Sequence, residues 1–393
     1  MGVRVVLTSI GRFHLFDLAR ELHRRGMLER IFTGYPRWKL ETEKDIPQEK
    51  IGTFPWLQTL YMGMGRFGIN LEGMAGTRLA RWAHDTLDRY VAGNLPECEV
   101  FLALSGSGLH SGRLAQRRGA AYVCDRGSSH IRYQDSILRE EFQRWGDQFQ
   151  GIDPVMMARE EAEYETADAI TVPSTFAYRS FVESGVPADR LRLVPYGVNL
   201  QRFGKAADPD PDRFEVLFVG QVGYRKGVPY LLEAFRRLRH PKKRLRIVGT
   251  LQAEMKRYLA RCPPPEGVVL TGAVPQEALR GIMSRAHVMV LPSIEEGLAL
   301  VQAQALACGC PVIATPHTGA EDLFTDSREG FIVPIRSAEA IAEKLQLLAD
   351  DPDRRVAMSE AALRRVAEIG GWNAYGERMA AVLREPVGAD RAH

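Results

Sequence analysis

Two stretches in the second half of the chain hold the residue types that chemistry at a phosphate ester requires. The first is Phe218-Val219-Gly220-Gln221-Val222-Gly223-Tyr224-Arg225-Lys226-Gly227, which follows an apolar run and precedes an amphipathic one. A glycine-rich turn between strand and helix lets backbone N–H groups approach an anion at the helix N-terminus. Arg225 and Lys226 set two cations where the helix dipole favours anions, an arrangement that makes sense with a diphosphate between them. Read without a ligand, the pair is a solvated turn. The second stretch runs from Leu291-Pro292-Ser293 through Glu295-Glu296-Gly297-Leu298-Ala299 to Gln304 and Pro311-Val312. A strand ends at Pro292, an acidic loop follows, and an apolar helix opens near Leu300. Glu296 in the loop and Gln304 in the first turns of the helix can hydrogen-bond sugar hydroxyls without changing protonation.

Such loops must be held at the carboxyl edge of a sheet, where open α/β folds bind ligands. Short apolar runs alternate with amphipathic stretches along the whole chain, the signature of βαβ units. The first half predicts strands at Val3–Thr8, Ile31–Thr33, Val100–Leu104, Ala121–Cys124 and Ile170–Val172, with a helix from about Phe13 to Arg25. The second half predicts strands at Glu215–Val219, Leu245–Val248, Val268–Leu270, Val288–Leu291, Pro311–Ala314 and Gly330–Val333. Its helices are Val228–Arg239, Gln276–Arg285 and Ala338–Ala349. At 393 residues the chain is too long for one ordinary core, and two doubly wound halves are the natural architecture. The polar, proline-rich stretch within Asn199–Arg213 marks the boundary. We therefore expect one domain over residues 1–198 and a second over 199–372, with a final helix of about 373–385 crossing back to the first.

The strings resemble glycosyltransferase family 4. They are Val194-Pro195-Tyr196-Gly197-Val198-Asn199 with Arg202-Phe203, Val219-Gly220 with Lys226-Gly227, Thr271-Gly272 with Leu279, Ala286-His287-Val288 before Leu291-Pro292-Ser293, and Glu296-Gly297 leading to Ala305-Leu306-Ala307-Cys308-Gly309. The resemblance covers most of residues 190–335. It implies the GT-B fold, two Rossmann-like domains facing across a cleft, and a metal-independent transfer from a nucleotide-diphosphate sugar to a hydroxyl with retention. It also implies roles. Lys226 with Arg225 neutralises the leaving diphosphate, Glu296 contacts the donor sugar, and Gln304 lies over the ribose. The amides of Gly297, Leu298 and Ala299 reach the phosphates, with Gly220 and Gln221 beside them, while Ala273 and Val274 line the base pocket. Gly11, in the turn Gly11-Arg12-Phe13-His14 after the first strand, faces the donor. His130, in Asp125-Arg126-Gly127-Ser128-Ser129-His130, approaches the donor sugar, and His14 is a second histidine at that edge. Three departures from the family pattern stand out: Gln304 replaces a glutamate, Gln221 an arginine, and Arg12 a glycine.

Composition narrows the field. Residues 1–195 carry 25 basic and 25 acidic side chains and the remainder 27 and 24, so neither half has the excess expected of a nucleic-acid binder. Five cysteines (Cys98, Cys124, Cys262, Cys308, Cys310), odd in number and without metal-ligand spacing, read as reduced thiols of a cytosolic protein. The chain enters its first strand without a signal-peptide core. No apolar stretch approaches the roughly 18–20 residues that span a bilayer, so any membrane contact is peripheral, at the inner face. The aromatic-rich segment Phe54–Phe67 reads as a helix pair over the first sheet or as an acceptor- or membrane-facing surface. The run Glu160-Glu161-Ala162-Glu163-Tyr164-Glu165 reads as a solvated helix face, and Ser105-Gly106-Ser107-Gly108 as a binding loop or a plain turn. The partners expected are a nucleotide-sugar donor and a hydroxyl acceptor, with no metal cofactor. Alternatives on the same architecture are a non-catalytic relative that binds a sugar nucleotide or a protein, and a sugar-nucleotide epimerase or phosphorylase. No carboxylate pair suits a glycosidase, and no G-x-G-x-x-G follows the first strand as a dinucleotide-dependent oxidoreductase requires.

Overall fold

The computed structural model describes residues 2–41, 43–56 and 74–385. In the first half, β1 (Val5–Ser9), β2 (Leu28–Thr33), β3 (Ile51–Thr53), β4 (Val100–Leu104), β5 (Ala121–Asp125), β6 (Ala169–Val172) and β7 (Leu191–Leu193) form one sheet in the order β3-β2-β1-β4-β5-β6-β7. The second half repeats the plan with β8 (Phe214–Val219), β9 (Lys243–Val248), β10 (Val268–Gly272), β11 (Val288–Leu291), β12 (Val312–Ala314) and β13 (Gly330–Ile332), ordered β10-β9-β8-β11-β12-β13. Every pairing is parallel. Parallel strands covered by helices on both faces need apolar side chains throughout, and the central β1, β8 and β11 are buried along their whole length. Strand order reverses between β1 and β4 and again between β8 and β11. At those two points adjacent loops diverge and leave room for a ligand.

The short strands β3 and β7 were not anticipated. Each has three residues, too few to show a period, and each forms because the edge of an existing sheet offers it partners. The acidic run lies on the helix Pro154–Thr166 but is not a solvated face, which corrects the expectation. Glu160 and Glu163 are buried, and only Glu161 and Glu165 lie on the outer side. Glu160 accepts from Arg126 (2.6 Å) and from Tyr164 Oη (2.7 Å). Glu163 accepts the N–H groups of Gly106 and Gly108, so Ser105–Gly108 is a turn tied into the first domain. Of the aromatic-rich segment, Phe54 stacks on Tyr90 with ring centroids 4.6 Å apart and Trp56 is exposed, while Tyr61, Met62, Met64 and Phe67 lie outside the described residues. Among the described residues no helix is long and apolar enough to cross a membrane.

The two halves are joined twice. The chain leaves the first sheet after β7 and returns through the helix Trp372–Val382, which packs on the helix His14–Arg24. That contact is close: a Cβ on Gly376 would lie 2.4 Å from Glu21 Cβ. Arg25 and Arg378 seal it by donating to the carbonyls of Asn373 and Pro195, both at 2.9 Å. The two crossings also touch each other, since a Cβ on Gly197 would sit 2.4 Å from the Gly371 carbonyl oxygen.

Candidate functional site

Gly227 organises the loop after β8. Its φ of +65° lies in the left-handed region, and a Cβ there would meet the Pro292 carbonyl oxygen at 2.0 Å. Only glycine satisfies both conditions, and the result is that the loop after β8 lies against the loop after β11. Ile294 N–H donates to the Arg225 carbonyl (2.8 Å), and Arg225 Nε donates to the Glu295 carbonyl (3.1 Å). Lys226 and Glu296 then meet as an ion pair with little solvent exposure on either side chain. Burial and the neighbouring Arg225 push the Lys226 ammonium down from the usual lysine range, and the Glu295 carboxylate works the other way.

Arg225 is held differently from what its sequence position suggests. Its guanidinium pairs with Glu295 Oε2 at 2.8 Å, so part of its donor capacity is already engaged. Glu295, which sequence reasoning passed over beside Glu296, is the junction between the domains. Its Oε1 accepts from Ser128 Oγ (2.7 Å) and Ser129 Oγ (2.6 Å), and its Oε2 accepts from Gln134 Nε2 (2.9 Å), all from the first domain. Burial opposes its charge, but Arg225 and these three donors hold the carboxyl down at about 2. Nothing in the sequence distinguishes Glu295 from its neighbour, because the groups that define it lie some 160 residues away.

The rest of the loop after β11 is pinned from both sides. Gly297 lies so close to the first domain that a Cβ would be 1.9 Å from the Gly127 carbonyl oxygen, and that Gly297's own carbonyl accepts from Ser174 Oγ at 2.6 Å. Ala299 N–H donates to the Thr318 carbonyl (3.0 Å), so it is not available to a phosphate, which corrects the expectation. A further tie runs through the helix Ile131–Arg144: the wholly buried carboxylate of Glu141 accepts from Tyr230 Oη (2.9 Å) and from Arg336 Nε (2.7 Å).

His130 is not at the cleft. It caps the helix Ile131–Arg144, accepting from Arg132 N–H, and its ring packs against Tyr164 and Phe181 at centroid distances of 5.2 and 5.0 Å. Burial, chiefly, lowers its pKa to about 4. The histidine the fold brings to the cleft is His14, whose Nε2 donates to Asp125 Oδ2 at 2.6 Å. Asp125 Oδ1 accepts from Thr171 Oγ1 at 2.6 Å, and the His14 ring packs on Tyr196 at 4.4 Å. Gly11 is buried at the same turn, and Arg12, where the family pattern has glycine, reaches out to Glu43 at 3.1 Å.

Gln304, Gln221, Arg225 and Lys226 line two separate cavities. The larger, about 860 Å³, lies between the domains and is lined by His14, Tyr196, Asn199, Gln276, Leu300 and Gln304 among others. The smaller, about 440 Å³, is lined by Gln221, Arg225 and Lys226 from the second domain and by Arg126 and Gln134 from the first. Gln304 and Lys226 therefore do not share one cavity in this arrangement. Gly220 (φ +155°) starts the loop, while Ala273 and Val274 follow β10 with Ala273 exposed and Val274 half-buried.

A family model described as "Glycosyl transferases group 1" matches residues 201–365, which contain both loops. The second half of the chain is thus similar to group 1 glycosyl transferases. Among curated proteins, the chain is 31% identical over 255 residues to a D-inositol 3-phosphate glycosyltransferase of Pseudarthrobacter chlorophenolicus, covering 60% of each chain. It is 30% identical over 239 residues to a GDP-mannose-dependent alpha-(1-6)-phosphatidylinositol monomannoside mannosyltransferase of Mycolicibacterium smegmatis, covering 55% of this chain and 62% of that one. The chain thus spans about 60% of the length of these curated relatives. Among solved structures, HepE of Anabaena in complex with UDP and glucose superposes with a TM-score of 0.69 at 14% identity, over 97% of this chain and 99% of that one. Sucrose-phosphate synthase of Thermosynechococcus elongatus superposes with a TM-score of 0.69 at 21% identity, over 98% and 100%. With the two parallel sheets, these likenesses establish the fold of the chain as GT-B.

Proposed function

We propose that the protein transfers a sugar from a UDP- or GDP-linked nucleotide-diphosphate sugar to a hydroxyl of a glycan, lipid or small-molecule acceptor, with retention at the anomeric carbon and without a bound metal ion. The observation that carries this reading is the Lys226–Glu296 pair at the switch point between β8 and β11. Its ammonium suits the charge that grows on a β-phosphate as the sugar C–O bond breaks, and its carboxylate suits a sugar hydroxyl. The N–H groups of Gly297 and Leu298 are the loop amides left to assist. A GDP-mannose-dependent relative and UDP-bound structural neighbours support the donor class, and the relatives that act on inositol phosphate and phosphatidylinositol mannoside support a hydroxylated acceptor. The donor has to separate Lys226 from Glu296 and join the two cavities. Closure of the two domains over the donor then excludes water.

The separation of Gln304 from Lys226, together with the uncharged Gln221, favours a second reading in which the protein binds a sugar nucleotide without transferring it. Calorimetric titration of wild type and Lys226→Ala with UDP-glucose and GDP-mannose decides between them. Loss of a charge-assisted phosphate contact is expected to weaken binding by about 10- to 100-fold. No binding at millimolar concentration sinks the donor-site assignment. Equal binding by the alanine variant removes Lys226 from it. Binding without transfer or hydrolysis across a panel of hydroxyl acceptors selects the second reading.

A further inference from the structure

The smaller cavity is lined by two unlike sets of side chains. Gln134, Leu138 and Phe142 follow one another at intervals of four on the helix Ile131–Arg144, so they lie along one face of it. Gln134 marks a polar end, where its amide reaches Glu295 at 2.9 Å and, through it, Arg225. Phe142 stands two turns on, about 12 Å further along the axis. There the chain beyond the helix adds Ile152 and Phe149, whose ring centroid lies 5.1 Å from that of Phe142. Phe142, Phe149 and Ile152 are only half-buried, so the cavity is left with apolar surface that a core would have covered.

This wall is built before any ligand arrives. Ile152 N–H donates to Asp135 Oδ1 (2.7 Å), while Asp147 accepts from Tyr224 Oη (2.7 Å) and Arg257 Nε (3.0 Å). The segment after the helix is thereby tied to both domains, and Phe142 packs edge-on against Tyr224 at 5.2 Å. A rigid wall spares a ligand the cost of ordering it. The charges of the lining are already answered. Arg126 gives its guanidinium to Glu160 (2.6 Å), the Ser129 carbonyl (3.0 Å) and Gln134 Oε1 (2.8 Å). Arg225 pairs with Glu295 and Lys226 with Glu296, and Glu254 adds a further carboxylate. With Lys226 given to the donor diphosphate, a phosphorylated acceptor finds no free cation among the described residues of this lining.

We propose that this cavity holds the acceptor and that the acceptor is an uncharged amphiphile, with a hydroxyl at the polar end and an apolar body against Leu138, Phe142, Phe149 and Ile152. The inference rests on the transferase reading. A volume of about 440 Å³ suits a body of ring or short-chain size. Because Lys226 lines the same cavity, the hydroxyl arrives on the side from which the diphosphate leaves, the approach that keeps the anomeric configuration in a single displacement.

The test uses the full chain with UDP and GDP present, and compares calorimetric binding of methyl, phenyl and hexyl β-glucosides and of D-inositol 3-phosphate. The phenyl or hexyl glucoside is expected to bind about 10- to 100-fold more tightly than the methyl one, because its apolar group leaves water. Either preference supports the proposal, a phenyl one identifying the body as a ring and a hexyl one as a chain. In Phe149→Ala and Ile152→Ala the preference over methyl glucoside should fall by about 3- to 10-fold, and loss of folded protein does not move that ratio. Equal binding of the three glucosides overturns the proposal. So does tighter binding of D-inositol 3-phosphate than of any glucoside, or a preference that both variants keep in full. Release of UDP from UDP-glucose and of GDP from GDP-mannose is measured separately. A wild type that releases neither, with or without the glucosides, overturns the transferase reading itself, whatever the order of binding.

Discussion

Replacing Glu295 with glutamine removes one charge at the domain junction and little else, since the amide has nearly the shape of a protonated carboxyl. The side chain is fully buried, pairs with Arg225 at 2.8 Å and accepts from Ser128, Ser129 and Gln134. A carboxyl moved from 4.5 to about 2 favours the ionised folded form by about 3 kcal/mol. Glutamine cannot ionise, so Glu295→Gln should lose about that amount at pH 7. The folded-state value is depressed, so the stabilisation is fully present above the ordinary glutamate range and is lost as pH falls through the folded value of about 2. Near pH 3 the difference between the two proteins should shrink to about 1 kcal/mol. Urea unfolding followed by tryptophan emission measures it, because Trp145 stacks on Tyr224 across the domain boundary at 6.0 Å. A difference below about 1 kcal/mol at pH 7 would refute the electrostatic account, as would one that persists undiminished at pH 3.

Two further substitutions probe the same cleft. Gly297→Ala places a methyl 1.9 Å from the Gly127 carbonyl, a backbone atom that cannot rotate away. The domains should part, and small-angle scattering should show a larger radius of gyration than wild type; superimposable profiles would mean that the contact is not kept in solution. Gln304→Glu gives a ribose two charged acceptor oxygens in place of a neutral amide and should tighten UDP binding by about 1 kcal/mol, or about fivefold. An unchanged calorimetric Kd would remove Gln304 from the nucleotide site.

Much of the architecture was legible along the chain. Continuous apolar runs such as Val100–Leu104, Val216–Val219 and Val288–Leu291 are what a parallel sheet buried on both faces demands, and the helices between them carry their own amphipathic period. The exceptions, β3 and β7, are three-residue edges whose existence depends on a neighbouring strand rather than on their own residues. The glycines around Lys226 were legible for the same local reason. A turn that must adopt positive φ and admit a carbonyl at 2.0 Å has only one residue that fits, as Gly227 shows.

What needed the tertiary structure was the direction in which each polar side chain points and the group that answers it. Glu295 and Glu296 are adjacent in sequence, yet one locks the two domains together and the other faces Lys226. His130 and His14 both follow strands of the first sheet. The first turns inward as a helix cap, whereas the second meets Asp125 at the cleft. Glu160 and Glu163 sit in an acidic run that periodicity assigns to solvent and that Arg126 and two glycine amides draw inside. The sequence by itself determined the sheets, the switch-point loops and the residue types gathered there, because those follow from local period and backbone conformation. The partners of Glu295, His14 and Arg225 belong to the tertiary structure alone, because a buried charge or hydrogen bond is defined by groups that folding brings from 70 or more residues away.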